Sequence, residues 1–427
     1  MNFAPPYAAI QKGSILFQQG RYKEAVQIFQ EALAVNPNDA YLLHLLANCQ
    51  YLIPGQLKNA LQSIDQSLRL QPDEAYHYQL KALILVELKK NKEALEQINR
   101  AIQLAPESDE VRAVQAYIFI KQERWAEAET AAREALRINA ENIFAGNMLV
   151  SALNMQNKLT GSQTFVSRLL SKDPEDFTSH SSAGWTYLMQ GNYPKAQLHF
   201  KEALRLNPNF EPARMGMLEA FKAQSKFYQW YLKYSFGMSK IGKKNRGIVI
   251  LAIYFISRIV GKTATSFSDG PYAVLAYLVL ALIYIFFFWT WIAGGLGNLI
   301  ALADPWARQA LNQNERWDAI AVGGLFLSGL IVTSGAMVWK ISSLLFLGLG
   351  MVLSTIPFAV TFQNRNKTGR RIYGSVGCFI LTTGIISMLS EISGWPVMES
   401  PVAIMAGLAL VLFIATTWLG AFGMWRH

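Results

Sequence analysis

QQGRYKEAVQIFQEALAVNP, residues 18–37, and MQGNYPKAQLHFKEALRLNP, residues 189–208, follow one pattern, with Ala25, Ala32 and Pro37 in the first matched by Ala196, Ala203 and Pro208 in the second. Between them the pattern recurs. Pro37, Pro72, Pro106, Ala140, Pro174 and Pro208 stand at spacings of 35, 34, 34, 34 and 34 residues, and a fixed period of this length marks a solenoid of stacked helical units. Small residues repeat with it at Ala25, Ala60, Ala94, Ala128 and Ala196, and seven residues later at Ala32, Ala101, Ala135 and Ala203. Positions seven apart share a helix face, so neighbouring helices are expected to approach closely there. A second register, Gly13, Ala47, Ala82, Ala116 and Gly184, marks where the first helix of each pair crosses its mate. The prolines are expected to open the following helix, whose first-turn amides have no internal partner to lose.

The two quoted segments resemble the tetratricopeptide repeat family, and the resemblance runs over about 200 residues. It implies an all-α solenoid of about six helix pairs over residues 1–225, closed by a polar helix at 210–225 beginning FEPARMGMLEAF. Two copies depart from the pattern. The second carries an extra residue near Ile53–Gly55, and the fifth has Val150, Ser162 and Leu169 where small residues are usual.

Charge divides the chain differently from length. Residues 1–225 hold 23 basic and 23 acidic residues, whereas residues 226–427 hold 16 basic and 6 acidic, so the net charge of +10 sits in the apolar half. Positive charge flanking hydrophobic runs points to anionic lipid and away from nucleic acid. Cys49 and Cys378 are the two cysteines, each within a helical or hydrophobic stretch, so both read as buried thiols and no disulfide or cysteine metal site is implied. The N-terminus lacks a basic region followed by an apolar run, which argues against a cleaved signal peptide. Residues 226–246 contain six basic residues, no acid and six aromatic ones. They read as a segment at the lipid interface, with Lys240, Lys243, Lys244 and Arg246 near the headgroups.

Apolar stretches follow at 247–261, 273–303, 319–339, 341–362, 372–393 and 401–424, which is a polytopic membrane domain of about six spans over 247–427. The second exceeds one span and is expected to tilt, or to kink at the glycines of AGGLGN, residues 293–298. Residues 304–318 read as a loop. The basic residues before the first span, and Arg365, Lys367, Arg370 and Arg371 after the fourth, place the N-terminus, repeats and C-terminus in the cytoplasm of a cell, or inner, membrane. None of the five histidines falls in a span, no HExxH motif occurs and no aspartate pair lies in the spans, so no catalytic residue, cofactor or metal ligand is assigned. Arg258, Asp304 and Glu391 lie near span ends, where long side chains reach the interface.

The resemblance implies a concave face built from the first helix of each pair, and offsets of −6, −3, +1 and +4 from the small crossing residue share one helical face. They select Tyr7 and Phe17 in the first copy, Tyr41, His44, Asn48 and Tyr51 in the second, and Tyr76 and Gln79 in the third. Tyr117 follows in the fourth, Phe144, Asn147 and Asn154 in the fifth, and Trp185 in the sixth. This stripe is aromatic, rich in amides and nearly without charge, a composition suited to holding an extended peptide. The expected function is a non-enzymatic, membrane-anchored scaffold that binds a protein or peptide; its own oligomeric state stays open. The alternative is a transporter or channel component regulated by the repeats.

Overall fold

The computed structural model describes residues 6–240, 248, 252–253, 255–262, 271–305, 307–364, 366–395, 397 and 401–421, and all regular structure among them is helical. Contacts divide the chain into two units, Met1–Gln190 with Arg205–Asn207, and Gly191–Leu204 with Pro208–His427.

The first unit is a series of helix pairs: α1 (Pro6–Gln18) with α2 (Tyr22–Val35), α3 (Ala40–Leu52) with α4 (Leu57–Leu70), and α5 (Ala75–Glu87) with α6 (Asn91–Leu104). They continue with α7 (Asp109–Lys121) and α8 (Trp125–Ile138), α9 (Ile143–Met155) and α10 (Leu159–Lys172), then α11 (Phe177–Met189). The first helices also contact one another in sequence, α3 to α5, α5 to α7, α7 to α9 and α9 to α11. Ala25, Ala60, Ala94 and Ala128 are wholly buried, as are Ala47, Ala82 and Ala116, because helix axes meet there. Gly13 answers Phe29, whose ring would lie 2.3 Å from an added methyl group. In the fifth pair bulk has changed sides. Leu169 of α10 packs where an added methyl on Gly146 of α9 would stand 2.6 Å away, and Ser162 hydrogen-bonds Thr186 Oγ1 at 2.9 Å.

Four of the first helices begin on a side-chain cap. Asp39, Ser108, Asn142 and Asp176 accept from the amides of Leu42, Val111, Ala145 and Ser179, which satisfies donors that the helix itself leaves unpaired. Pro37, Pro72, Pro106 and Pro174 sit two residues ahead of residues 39, 74, 108 and 176, in the turn, so the expectation that they open the helix is corrected. Each follows directly on the end of the preceding helix, where a residue without an amide proton prevents its continuation.

Every reversal within a pair has one residue in the left-handed region: Gly20, Gly55, Lys89, Glu123, Asn157 and, opening the second unit, Gly191. Cys49 is buried, and burial pushes its thiol up to about 12.

In the second unit, α12 (Tyr193–Leu206) and α13 (Glu211–Lys222) meet at Phe200, whose ring would stand 2.2 Å from a methyl on Gly216. Then come α14 (Lys226–Lys240), α15 (Pro271–Ala303) and two short helices, α16 (Ala307–Ala310) and α17 (Gln313–Asp318), within the expected loop. A π-helical turn at Ala319–Gly324 leads into α18 (Leu325–Trp339), followed by α19 (Ser342–Gln363), α20 (Lys367–Ile392) and α21 (Val402–Ala421). Three described helical stretches, Gln313–Trp339, Ser342–Gln363 and Lys367–Ile392, are long and apolar enough to cross a membrane. A bent pair, Val274–Ile283 with Phe288–Ala303, makes a fourth if taken as one span, against the six expected. Of the expected span at 247–261, residues 248, 252–253 and 255–261 are described, and all are helical; the others lie outside the described residues.

The 45° bend lies between Ile283 and Phe288 and not at the glycines. Those glycines serve close packing instead, with Gly295 against Val322 and Gly297 against the Tyr228 ring. Gly350 of α19 and Gly384 of α20 bring two backbones together in the same way. Gly377, Ile380 and Gly384 form the buried side of α20, which leaves Cys378 exposed and corrects its reading as a buried thiol. Asp304 accepts from the Ala307 amide at 2.9 Å, Ser342 Oγ donates to Glu391 at 3.0 Å, and Arg258 is exposed.

Helix α13 docks on the apolar helices. Leu218 packs with Ala301, Ala307 and Leu311, while Arg214 forks onto Glu315 at 2.9 and 3.1 Å, reaches the Ala310 carbonyl and also holds Glu211. Paired, parallel N–H donors of this kind fix orientation as well as distance. Helix α14 turns Tyr228 and Leu232 inward, while Trp230 stays 78% exposed.

The left-handed residues generate a prediction. A side chain there costs roughly 1–2 kcal/mol and glycine's greater unfolded freedom returns part of it, so Glu123→Gly and Lys89→Gly should each stabilise by about 0.5–1 kcal/mol. Chemical denaturation of the purified protein measures this, with Glu123→Ala as the control for loss of the side chain alone.

Candidate functional site

The stripe of first-helix residues gathers into two clusters. In the first, the His44 ring meets Tyr76 edge-on at 4.9 Å and His77 at 5.2 Å, and the Nδ1 atoms of the two histidines lie 3.2 Å apart. Tyr41 on the same helix as His44 is 47% exposed. His77, absent from the expected site, follows Tyr76 directly and is fully buried; Ser67 Oγ lies within 3.1 and 3.2 Å of its ring nitrogens and donates to the Ala40 carbonyl at 2.7 Å. Burial holds both histidines near 4, and for His44 the neighbouring His77 adds to the effect. Both are neutral at pH 7.

The second cluster spans α3, α5, α7 and α9. Tyr117 donates its hydroxyl to Glu87 at 2.6 Å, Lys121 pairs with the same carboxylate at 2.9 Å and lies over the Tyr117 ring at 5.0 Å. The exposed Phe144 stands 6.1 Å from Tyr117. Burial raises the Tyr51 and Tyr117 phenols above their usual range. The face described as nearly uncharged therefore carries an ion pair. Glu87 and Lys121 both lie five residues past the crossing positions Ala82 and Ala116, outside the four offsets used to choose the stripe.

The amides divide. Asn48 and Gln79 are half-buried, whereas Asn147 and Asn154 are 4% and 3% exposed. Asn147 donates to Thr178 Oγ1 and Ser179 Oγ at 3.0 and 3.2 Å and accepts from Ser182 at 2.6 Å; Asn154 donates to Thr186 at 3.0 Å. These two amides join α9 to α11. Phe17 packs edge-on against Tyr22 at 5.4 Å, and Trp185 is half-buried on α11. Tyr7 lies on α1 with its side chain outside the described part. Of the headgroup residues Lys240 ends α14, and Lys243, Lys244 and Arg246 lie outside the described residues.

The histidine pair makes stability depend on pH. Each has a folded value below its ordinary one, so the unfolded chain takes up more protons between about 6.5 and 4. Stability is full above that window and falls as pH drops through it. His77→Gln should flatten this loss by roughly 1–2 kcal/mol between pH 7 and 5, read as the shift in urea midpoint at the two values.

A family model described as tetratricopeptide repeat matches residues 16–84, another of that description matches 177–210, and one described as anaphase-promoting complex, cyclosome, subunit 3 matches 53–135. No curated protein matches the chain. Among solved structures it is similar to a tetratricopeptide repeat protein from Parabacteroides merdae, at 19% identity and a TM-score of 0.42, over 54% of this chain and 91% of that one. It is also similar to YrrB, described as a TPR protein with an unusual peptide-binding site, at 22% identity and a TM-score of 0.31, over 43% and 95%. PilW, a type IV pilus biogenesis factor, matches at 18% and 0.39, over 46% and 90%. By the two family models of that description, the N-terminal part of the chain carries tetratricopeptide repeats.

Proposed function

We propose that the protein is a membrane-anchored scaffold whose repeats bind a protein or an extended peptide along the first-helix face. The observation that carries this reading is the run of partly exposed aromatic groups, Tyr41, Tyr76, Tyr117 and Phe144, across four successive first helices. Rigid aromatic side chains supply contact area at little conformational cost, and the Glu87–Lys121 pair beside Tyr117 offers polar direction. No catalytic group is assigned.

In this reading residues 1–225 form the effector, residues 226–246 run along anionic headgroups through Lys240, Lys243, Lys244 and Arg246, and residues 247–427 anchor the chain with about six crossings. The basic residues around 226–246 and 365–371 set the repeats and both termini in the cytoplasm of a cell membrane. Transport regulated by the repeats is the second reading, and the buried Asn298–Asp318 pair favours it.

Replacing Tyr41, Asn48 and Tyr76 together by Ala should weaken partner capture by at least about 2 kcal/mol, roughly thirtyfold, without loss of membrane insertion. Affinity purification from the native membrane, followed by titration of the recovered partner, measures it; unchanged affinity refutes the face as the working site. For topology, single cysteines at Lys367 and Glu399, in a chain with Cys49 and Cys378 changed to Ser, should react from opposite sides of sealed vesicles. Reaction from one side rejects the proposed crossing between them.

A further inference from the structure

The second unit contains a buried polar site that the scaffold reading does not use. Asn298 of α15 and Asp318 at the end of α17 are 5% and 4% exposed, and Asn298 Nδ2 donates to Asp318 Oδ2 at 2.8 Å. This one bond leaves both remaining side-chain oxygens, Asn298 Oδ1 and Asp318 Oδ1, buried without a partner. Two acceptors facing no donor are costly in a dry interior. The surrounding charges do not relieve them. Lys222 binds Glu219 Oε1 at 3.1 Å, Tyr228 gives its hydroxyl to Glu219 Oε2 at 2.8 Å, and Glu315 is held by Arg214. Lys222 is engaged by Glu219, and Arg214 by both Glu211 and Glu315, and among the described residues Asp318 has no ion pair.

Two backbone oxygens lie at the helix crossing beside the pair. A methyl on Gly295 would stand 3.2 Å from the Asp318 carbonyl oxygen, and one on Gly323 2.9 Å from that of Gly295. The chain after Asp318 takes the wider π-helical turn, Ala319–Gly324, in place of continuing as α-helix. Such turns recur at functional sites in helices, and carbonyl oxygens beside interrupted helices are ordinary ligands for alkali cations.

We propose that Asn298 and Asp318 bind one small monovalent cation of the sodium class, through Asn298 Oδ1, Asp318 Oδ1 and nearby carbonyl oxygens. A cation satisfies both orphaned oxygens at once and balances the unmatched carboxylate. A divalent ion fits less well, because calcium and magnesium sites draw on more carboxylate and the Lys222 ammonium stands in the same neighbourhood. No grouping of three His, Cys, Asp or Glu side chains suited to a transition metal occurs among the described residues. The assignment is independent of what the repeats bind.

The test is thermal unfolding of the full-length protein in detergent, in sodium, potassium or choline chloride at one ionic strength and pH 7.5. Sodium should raise the midpoint saturably and above choline. Asp318→Asn keeps the bond from Asn298, and its new amide can donate to Asn298 Oδ1. That variant should lose the sodium response and be at least as stable as the parent in choline. Asn298→Ala, which removes one ligand, should shift half-saturation to at least tenfold higher sodium, and it serves where Asp318→Asn does not fold. Three results would each overturn the proposal: choline as effective as sodium, which leaves only water at the site; an unchanged sodium response in both variants; or full stabilisation by acid in choline, which means that a proton fills the role.

Discussion

Close approach of helix axes at residues without bulk is the constraint on which the solenoid rests. Ala47, Ala82 and Ala116 on the first helices, and Ala60, Ala94 and Ala128 on the second, are wholly buried because each is a point of contact between backbones. A larger residue would separate the axes and thereby move every later pair, since each pair is positioned only by its neighbours. The caps and left-handed turns serve the same end. They stop and restart helices at fixed intervals, so that the contact points come round in phase every 34 residues or so.

Helix α13 carries this regularity into a different environment. Its Leu218 packs with Ala301, Ala307 and Leu311, and Arg214 is held by Glu211 and Glu315. A two-pronged guanidinium contact between α13 and α17 sets a defined angle for that helix.

Much of this was legible in the sequence, for a physical reason: contact between backbones demands small residues, and a repeated demand leaves a repeated mark. The helix pairs could therefore be read from the period of the prolines together with small residues such as Ala25, Ala60, Ala94 and Ala128. What could not be read depends on contacts between distant residues. Glu87 and Lys121 each look like ordinary helix-surface charges until α5 and α7 are side by side. Asn147 and Asn154 fit a peptide-binding stripe by spacing, yet their hydrogen-bond partners on α11, 31 to 35 residues on, turn them into internal ties. Asp318 read as a loop residue because nothing local announces the π-helical turn that follows it. The bend in α15 fell at an aromatic run, and the glycines suspected of causing it are occupied by Val322 and Tyr228.

The exchange of bulk between Gly146 and Leu169 has a consequence for how such an array can change over time. A duplicated copy of the fifth pair would bring its leucine with its glycine and remain self-consistent. A crossover falling between α9 and α10 would unite Leu169 with a larger residue in place of Gly146, such as Leu43 or Tyr78 of earlier copies, or Gly146 with an alanine in place of Leu169, producing a clash in one product and a void in the other. Recombination is thus tolerated at the borders of this repeat and penalised inside it, so the pair is inherited as a block although its neighbours are built on interchangeable parts.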